Sequence, residues 1–176
     1  MDKKVAIFCA ASTKVDEKYY AAAREAVRAL HALNYTILSG GGKVGIMGAI
    51  TDESVRCGGR HIGVLPSFMK GLENPDVTEV VWTESMSTRK EFMRRDTCAA
   101  IALPGGIGTL DELIETHTLI KLHRYQGRLY ALNFDGFFDP YIALLDHLVQ
   151  EGMLEPQDRD LVFFPRTVAE LIACFD

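Results

Sequence analysis

The feature that most constrains this chain is a repeated change of hydrophobic period. Short apolar runs alternate with longer amphipathic stretches along its length. The runs predict strands over Val5–Ala10, Tyr35–Leu38, His61–Leu65, Thr78–Trp82, Ala99–Leu103, Leu129–Asn133 and Leu161–Phe164. The stretches between them predict helices over Asp16–Leu33, Gly45–Cys57, Met86–Thr97, Leu110–His123, Pro140–Glu151 and Val168–Phe175. Strands alternating with helices build a parallel sheet with helices on both faces. Val5-Ala6-Ile7-Phe8 and Ala99-Ala100-Ile101-Ala102-Leu103 are continuous apolar runs, as expected of strands covered on both sides. Pro66–Val77 is expected to be the longer loop, because Pro66, Gly71, Asn74 and Pro75 break both periods. The 176 residues contain no repeat or long linker, so 1–176 is expected to be a single doubly wound α/β domain.

Nineteen basic and 24 acidic residues leave a net charge of −5. Such a chain is a poor general binder of nucleic acid or anionic membrane, and any grip on an anion must come from a local cluster. No apolar run approaches the ~20 residues that cross a bilayer. Lys3-Lys4 before the run Val5 to Ala11 superficially resembles a signal peptide, but the run also reads well as a buried first strand, and that reading is preferred. Cys9, Cys57, Cys98 and Cys174 lie far apart with no C-x-x-C pair, and the five histidines form no metal pattern. Reduced thiols, a cytoplasmic setting and no metal site are therefore expected.

Ligands of open parallel sheets bind beyond the carboxyl ends of the strands. Two loops there are rich in glycine. The first is Ser39-Gly40-Gly41-Gly42-Lys43-Val44-Gly45-Ile46-Met47-Gly48. It holds G-x-G-x-x-G as Gly40, Gly42 and Gly45, but after the second strand, and the next strand ends in Leu65-Pro66 with no acid for a ribose diol. It is no Walker A loop either, since valine follows Lys43. Two readings stand: a tight turn that lets a helix pack closely, or bare backbone approaching a ligand.

The second loop is Pro104-Gly105-Gly106-Ile107-Gly108-Thr109, followed by Leu110-Asp111-Glu112. Converging amides at a helix start make a phosphate site. Thr109-x-x-Glu112 is also a capping box, worth ~1 kcal/mol. A cap alone does not require three glycines and a proline before it. Both readings meet if the amides hold a phosphate while Glu112 faces the neighbouring sugar; on the residues alone, capping stays ahead for Glu112. Between the loops, Arg89, Lys90, Arg94 and Arg95 cluster on one predicted helix. Arg89 and Lys90 share a face with Met86 and Met93 and lean inward, whereas Arg94 and Arg95 are expected to be more exposed or to lie at an interface.

Gly40-Gly41-Gly42-x-x-Gly45-x-Met47-Gly48 and Pro104-Gly105-Gly106-x-Gly108-Thr109-x-x-Glu112, with Arg89-Lys90 between them, resemble the LONELY GUY (LOG) family over nearly the whole chain. The resemblance implies a Rossmann-like fold, a homodimer and, with no cofactor, cytokinin riboside 5′-monophosphate phosphoribohydrolase activity. The N-glycosidic bond of an AMP-type nucleotide is then hydrolysed to free base and ribose 5-phosphate, and AMP itself serves bacterial-type relatives. It makes Arg89 and Glu112 the catalytic pair and places Ser12, Gly41, Gly42, Met47, Lys90, Gly105, Gly106, Gly108 and Thr109 around the nucleotide. Glu112 is expected to stabilise positive charge at the anomeric carbon and activate water, and Arg89 to orient. Cys9-Ala10-Ala11-Ser12 departs from the usual C-G-S-S, Lys43 replaces a small residue, Ser87 a frequent histidine and Ile107 a common aromatic. Competing readings are a nucleotide or molybdenum-cofactor carrier without hydrolysis, a pyridoxal-phosphate decarboxylase using Lys43 or Lys90, as an older "lysine decarboxylase-like" label has it, and, last, a nicotinamide oxidoreductase.

Overall fold

The computed structural model describes residues 3–175. Seven strands pair in parallel: β1 (Lys3–Phe8), β2 (Tyr35–Ser39), β3 (His61–Pro66), β4 (Glu79–Thr83), β5 (Ala99–Ala102), β6 (Arg128–Ala131) and β7 (Val162–Phe163), in the order β4-β3-β2-β1-β5-β6-β7. Central β1 and β5 are in register from Val5 opposite Ala99 to Phe8 opposite Ala102. Alternation within the apolar runs sends side chains to two faces. Val5, Ile7, Ile37, Ile101 and Tyr130 lie under α1 (Glu17–Ala32), α2 (Gly45–Cys57) and α7 (Val168–Ile172). Ala6, Phe8, Leu38, Ala100 and Leu129 lie under α3 (Met86–Arg94), α4 (Ile107–Lys121) and α5 (Asp139–Gln150). The small residues of β1 and β5 on this second face leave room for Phe8, Met93 and Leu113, all buried. The fold is thus the expected Rossmann-like, doubly wound α/β arrangement.

Several element ends differ from expectation. α3 stops at Arg94 rather than Thr97, because Asp96 adopts a left-handed conformation (φ 60°) and the Thr97 hydroxyl donates to the Arg94 carbonyl at 2.8 Å. β1 ends at Phe8, and buried Cys9 and Ala10 already belong to the following loop. α4 begins at Ile107, a turn earlier than Leu110. The short helix α6 (Pro156–Arg159) and the 3-10 turns Ser67–Met69 and Phe134–Gly136 have too few residues to show a period.

The link from β3 to β4 carries no crossover helix. It folds back as a flap on the loop after β2, with an antiparallel bridge between Gly42 and Glu73. The Asn74 N–H donates to the Gly41 carbonyl at 2.8 Å, and the Lys43 ammonium donates to the Gly71 carbonyl at 3.1 Å. No helix among the described residues is long and apolar enough to cross a membrane.

Candidate active site

Connections leave neighbouring β1 and β5 in opposite directions, so a crevice opens beyond their carboxyl ends. A cavity of about 420 Å³ occupies it. The β1 loop from Cys9 to Ser12, the first glycine loop with Met47, the flap residues Met69 and Leu72, Met86 and Arg89 of α3, and the start of α4 line it.

At its centre lies an ion pair. The α3 helix is set by a capping box in which Ser85 Oγ accepts from the Thr88 N–H at 3.2 Å and Thr88 Oγ1 accepts from the Ser85 N–H at 3.0 Å. One turn on, Arg89 is 7% exposed; its Nε donates to the Val64 carbonyl at 2.9 Å and its Nη1 to Glu112 Oε1 at 2.7 Å. Glu112 is 6% exposed, and its Oε2 has no hydrogen-bond partner among the described residues. Burial pushes the Glu112 carboxyl above the usual carboxylate range, against the pull of the Arg89 charge and hydrogen bond; Asp111 adds to the rise and Lys90 opposes it. A buried carboxyl raised toward neutrality, with one oxygen fixed and the other open to a cavity, is arranged as a general base. Cys9 beside it is pushed far up, first by burial and then by the Glu112 charge, and stays a thiol.

The second glycine loop offers amides. Gly106 caps α4 without any side-chain hydrogen bond, and the first intrahelical bond runs from the Leu110 N–H to the Gly106 carbonyl at 3.0 Å. The N–H groups of Ile107, Gly108 and Thr109 therefore have no intrahelical acceptor. This overturns the capping reading of Thr109 and Glu112. Thr109 is the third helical residue rather than the cap, and the Glu112 carboxylate turns to Arg89 instead of to backbone. The reason is Gly105: a Cβ there would collide with the Thr109 side chain, so its absence lets the helix start early. Cβ atoms on Gly106 or Gly108 would meet nothing within 4 Å.

The first loop is built differently. A Cβ on Gly40 would collide with Arg89 Nη2. Gly41 (φ 65°) packs back to back with Gly63, where a Cβ would fall 2.6 Å from the Gly63 Cα. The Gly41 N–H donates to Ser39 Oγ at 3.1 Å, and that hydroxyl pairs with His61 Nε2 at 2.8 Å. Gly45 (φ 66°) lets α2 touch the backbone of Ala11.

Of the residues expected around a ligand, Ser12, Gly42, Met47, Arg89, Gly106, Gly108, Thr109 and Glu112 line the cavity, whereas Gly41, Lys90 and Gly105 do not. Lys90 points elsewhere, to Asp111 at 2.9 Å and Glu115 at 2.8 Å. Arg94, expected to be more exposed or at an interface, is 6% exposed and pairs with Glu115 of α4 at 3.2 Å; Arg95 is exposed. Gly40, Val44, Leu65, Met69, Leu72 and Met86 also line the cavity. Gly40 was visible as the first glycine of the fingerprint, while the flap residues carry no periodic signal. Among the described residues, no group of three histidine, cysteine or acidic side chains is placed to hold a metal ion.

A family model described as "possible lysine decarboxylase" matches residues 47–175. A probable cytokinin riboside 5′-monophosphate phosphoribohydrolase of Oryza sativa subsp. japonica is 37% identical over 97% of this chain and 70% of its own length. A cytokinin riboside 5′-monophosphate phosphoribohydrolase of Arabidopsis thaliana is 34% identical over 97% of this chain and 80% of its own. The molybdenum cofactor carrier protein of Chlamydomonas reinhardtii has the same fold, with a TM-score of 0.75 at 19% identity, over 99% of this chain and 96% of that one. So does the molybdenum cofactor binding protein of Rippkaea orientalis, with a TM-score of 0.75 at 18% identity over the same shares.

Proposed function

Because the chain belongs to the LONELY GUY family, we propose that it hydrolyses nucleoside 5′-monophosphates of the AMP type to free base and ribose 5-phosphate. The observation that carries this reading is the buried Glu112 carboxylate with Oε2 open to a cavity whose wall also holds Gly108 and Thr109, two of the α4 residues with unpaired amides. The N–H groups of Ile107, Gly108 and Thr109 take the 5′-phosphate, helped by the positive end of the helix. The ribose then lies over Glu112. As the bond from C1′ to the base nitrogen breaks, positive charge develops on the sugar, and the carboxylate stabilises it. Glu112 Oε2 takes a proton from water while the water oxygen bonds to C1′, and the base leaves with the glycosidic electron pair and gains a proton from solvent. Arg89 holds Oε1, so that Oε2 alone turns to the water.

The wall formed by Val44, Leu65, Met69, Leu72 and Met86 is apolar and fits a base carrying a hydrocarbon substituent, as in a cytokinin riboside monophosphate. Chromatography after incubation with AMP, N6-alkenyl AMP and the matching nucleosides tests the assignment. Release of free base from the monophosphates, faster from the alkenylated one and absent from the nucleosides, is the expected result. A carrier would retain nucleotide and release no base. A lysine decarboxylase needs a neutral lysine for its aldimine, yet Asp111 and Glu115 hold Lys90 protonated, with its pKa raised despite burial. Lys43 is turned toward the Gly71 carbonyl.

A homodimer, which the family resemblance implies, is proposed to use the outer face of α4 and its end, where Ile114 and Leu122 are exposed. Light scattering at twice the chain mass is expected. Free thiols at Cys57, Cys98 and Cys174, all exposed, suit a reducing cytoplasm.

A further inference from the structure

The Arg89 guanidinium is fixed at two of its nitrogens, Nε on the Val64 carbonyl and Nη1 on Glu112 Oε1. Its third, Nη2, lies so close over Gly40 that a Cβ there would collide with it. The Gly40 backbone does not itself require glycine: Gly41 and Gly45 have positive φ, but Gly40 does not. Met47 Sδ and Cε would also be met, at 2.8 and 2.9 Å, but a thioether swings aside at little cost. Arg89 has no such freedom while both its hydrogen bonds are kept.

We propose that Gly40 is a positioning residue: its empty side-chain position is the seat of Arg89 Nη2, and it sets the guanidinium where it holds Glu112 Oε1 and leaves Oε2 to the attacking water. The inference rests on the hydrolase reading above. A methyl group at position 40 forces Nη2 away by about 1 Å to reach ordinary contact. A displacement of that size takes a 2.7 Å hydrogen bond out of range. The groups facing Glu112 are Arg89 and Lys90 from α3, Asp111 from its own helix and Cys9 from the loop after β1, and of these Arg89 alone bonds to it. Weakening that bond reduces the Arg89 opposition to burial, part of which is the charge and part the hydrogen bond, so the carboxyl holds its proton to higher pH.

The test is a cycle of wild type, Gly40→Ala, Arg89→Lys and the double variant, read as release of base from AMP against pH. Gly40→Ala is expected to lower kcat by about 10–100-fold with KM little changed, as a 1 Å misplacement does. Its acid limb is expected to move to higher pH, since the carboxylate loses the Arg89 hydrogen bond that favours its charged form. In the Arg89→Lys background, which has no Nη2, adding Gly40→Ala is expected to cause no further loss and no further shift. A carbon-13 titration of the Glu112 carboxyl without substrate, assigned by its absence in Glu112→Gln, is expected to move in the same direction in Gly40→Ala.

An unmoved limb and titration in Gly40→Ala would overturn the proposal. So would an equal cost of the substitution in both arginine and lysine backgrounds. Should Gly40→Ala lower the melting temperature, the same cycle is read there. A drop that persists in the double variant, where no Nη2 is left to occupy the seat, assigns Gly40 to backbone packing instead. If the wild type releases no base at all, the hydrolase reading falls, while the carboxyl titration still decides the seat.

Discussion

The two glycine loops look alike as sequence and differ in what glycine does. In the first, the missing side chains make room for protein. Gly40 admits the Arg89 guanidinium, Gly41 admits Gly63 and Gly45 admits the β1 loop. In the second, only Gly105 makes room for a neighbour, the Thr109 side chain, while Gly106 and Gly108 border open space on the cavity. At Gly40, Gly41 and Gly45 glycine is thus a packing requirement, whereas at Gly106 and Gly108 it leaves backbone bare beside the cavity. Glu112 lies between them, held by an arginine seated on the first loop and carried by the helix that the second loop begins.

The sharpest way to break this division is at the centre. Glu112→Gln is expected to lower turnover by about 10²–10⁴-fold, the usual worth of a general base. AMP affinity measured by calorimetry is expected to survive, because the proposed phosphate contacts are amides and do not include residue 112. Next, Gly108→Ala is expected to raise KM for AMP by about 10-fold or more, through the lost approach of charge-assisted hydrogen bonds. Its melting temperature should hold or rise, since alanine gains up to about 1 kcal/mol over glycine in a helix.

Gly41→Ala is expected to do the reverse. Strain at φ 65° and the 2.6 Å approach to Gly63 cost about 1–3 kcal/mol in denaturant unfolding, with KM unchanged in the folded fraction. The effect closest to nil at neutral pH concerns the anchor of the first loop. Burial holds the His61 imidazole down to about 4, from an ordinary value of 6.5. The folded state therefore takes up this proton less readily than the unfolded chain. Its contribution to stability is present above pH 6.5 and is lost as pH falls through 4. Denaturant midpoints are expected to be flat near neutrality and to fall across that window, less steeply in His61→Gln.

Periodicity carried most of the fold. The continuous apolar runs around Val5 and Ala99 marked the two central strands, and the general rule for open sheets then pointed to the loops beyond them. What failed was any feature that depends on a partner distant in sequence. Thr109-x-x-Glu112 has the form of a capping box, and threonine normally outranks alanine-like caps. The rule lost because Arg89, 23 residues away, claims the carboxylate and Gly105 lets the helix begin early. Arg94 reads from the sequence as more exposed or as an interface residue; in the fold it is buried and pairs with Glu115 on another helix. The flap supplies Met69 and Leu72 through turns and a single bridge to Gly42, none of which leaves a pattern in the residues. The expectation that Arg89 and Glu112 act together came from the family resemblance and not from spacing; in the fold the two side chains are hydrogen-bonded.

The most direct measurement is a crystal structure of Glu112→Gln with AMP bound. The account predicts the 5′-phosphate within hydrogen-bond distance of the Ile107, Gly108 and Thr109 amides and C1′ of the ribose beside residue 112. A phosphate bound anywhere else, for example in the cleft between Arg94, Arg95 and Arg124, would contradict it.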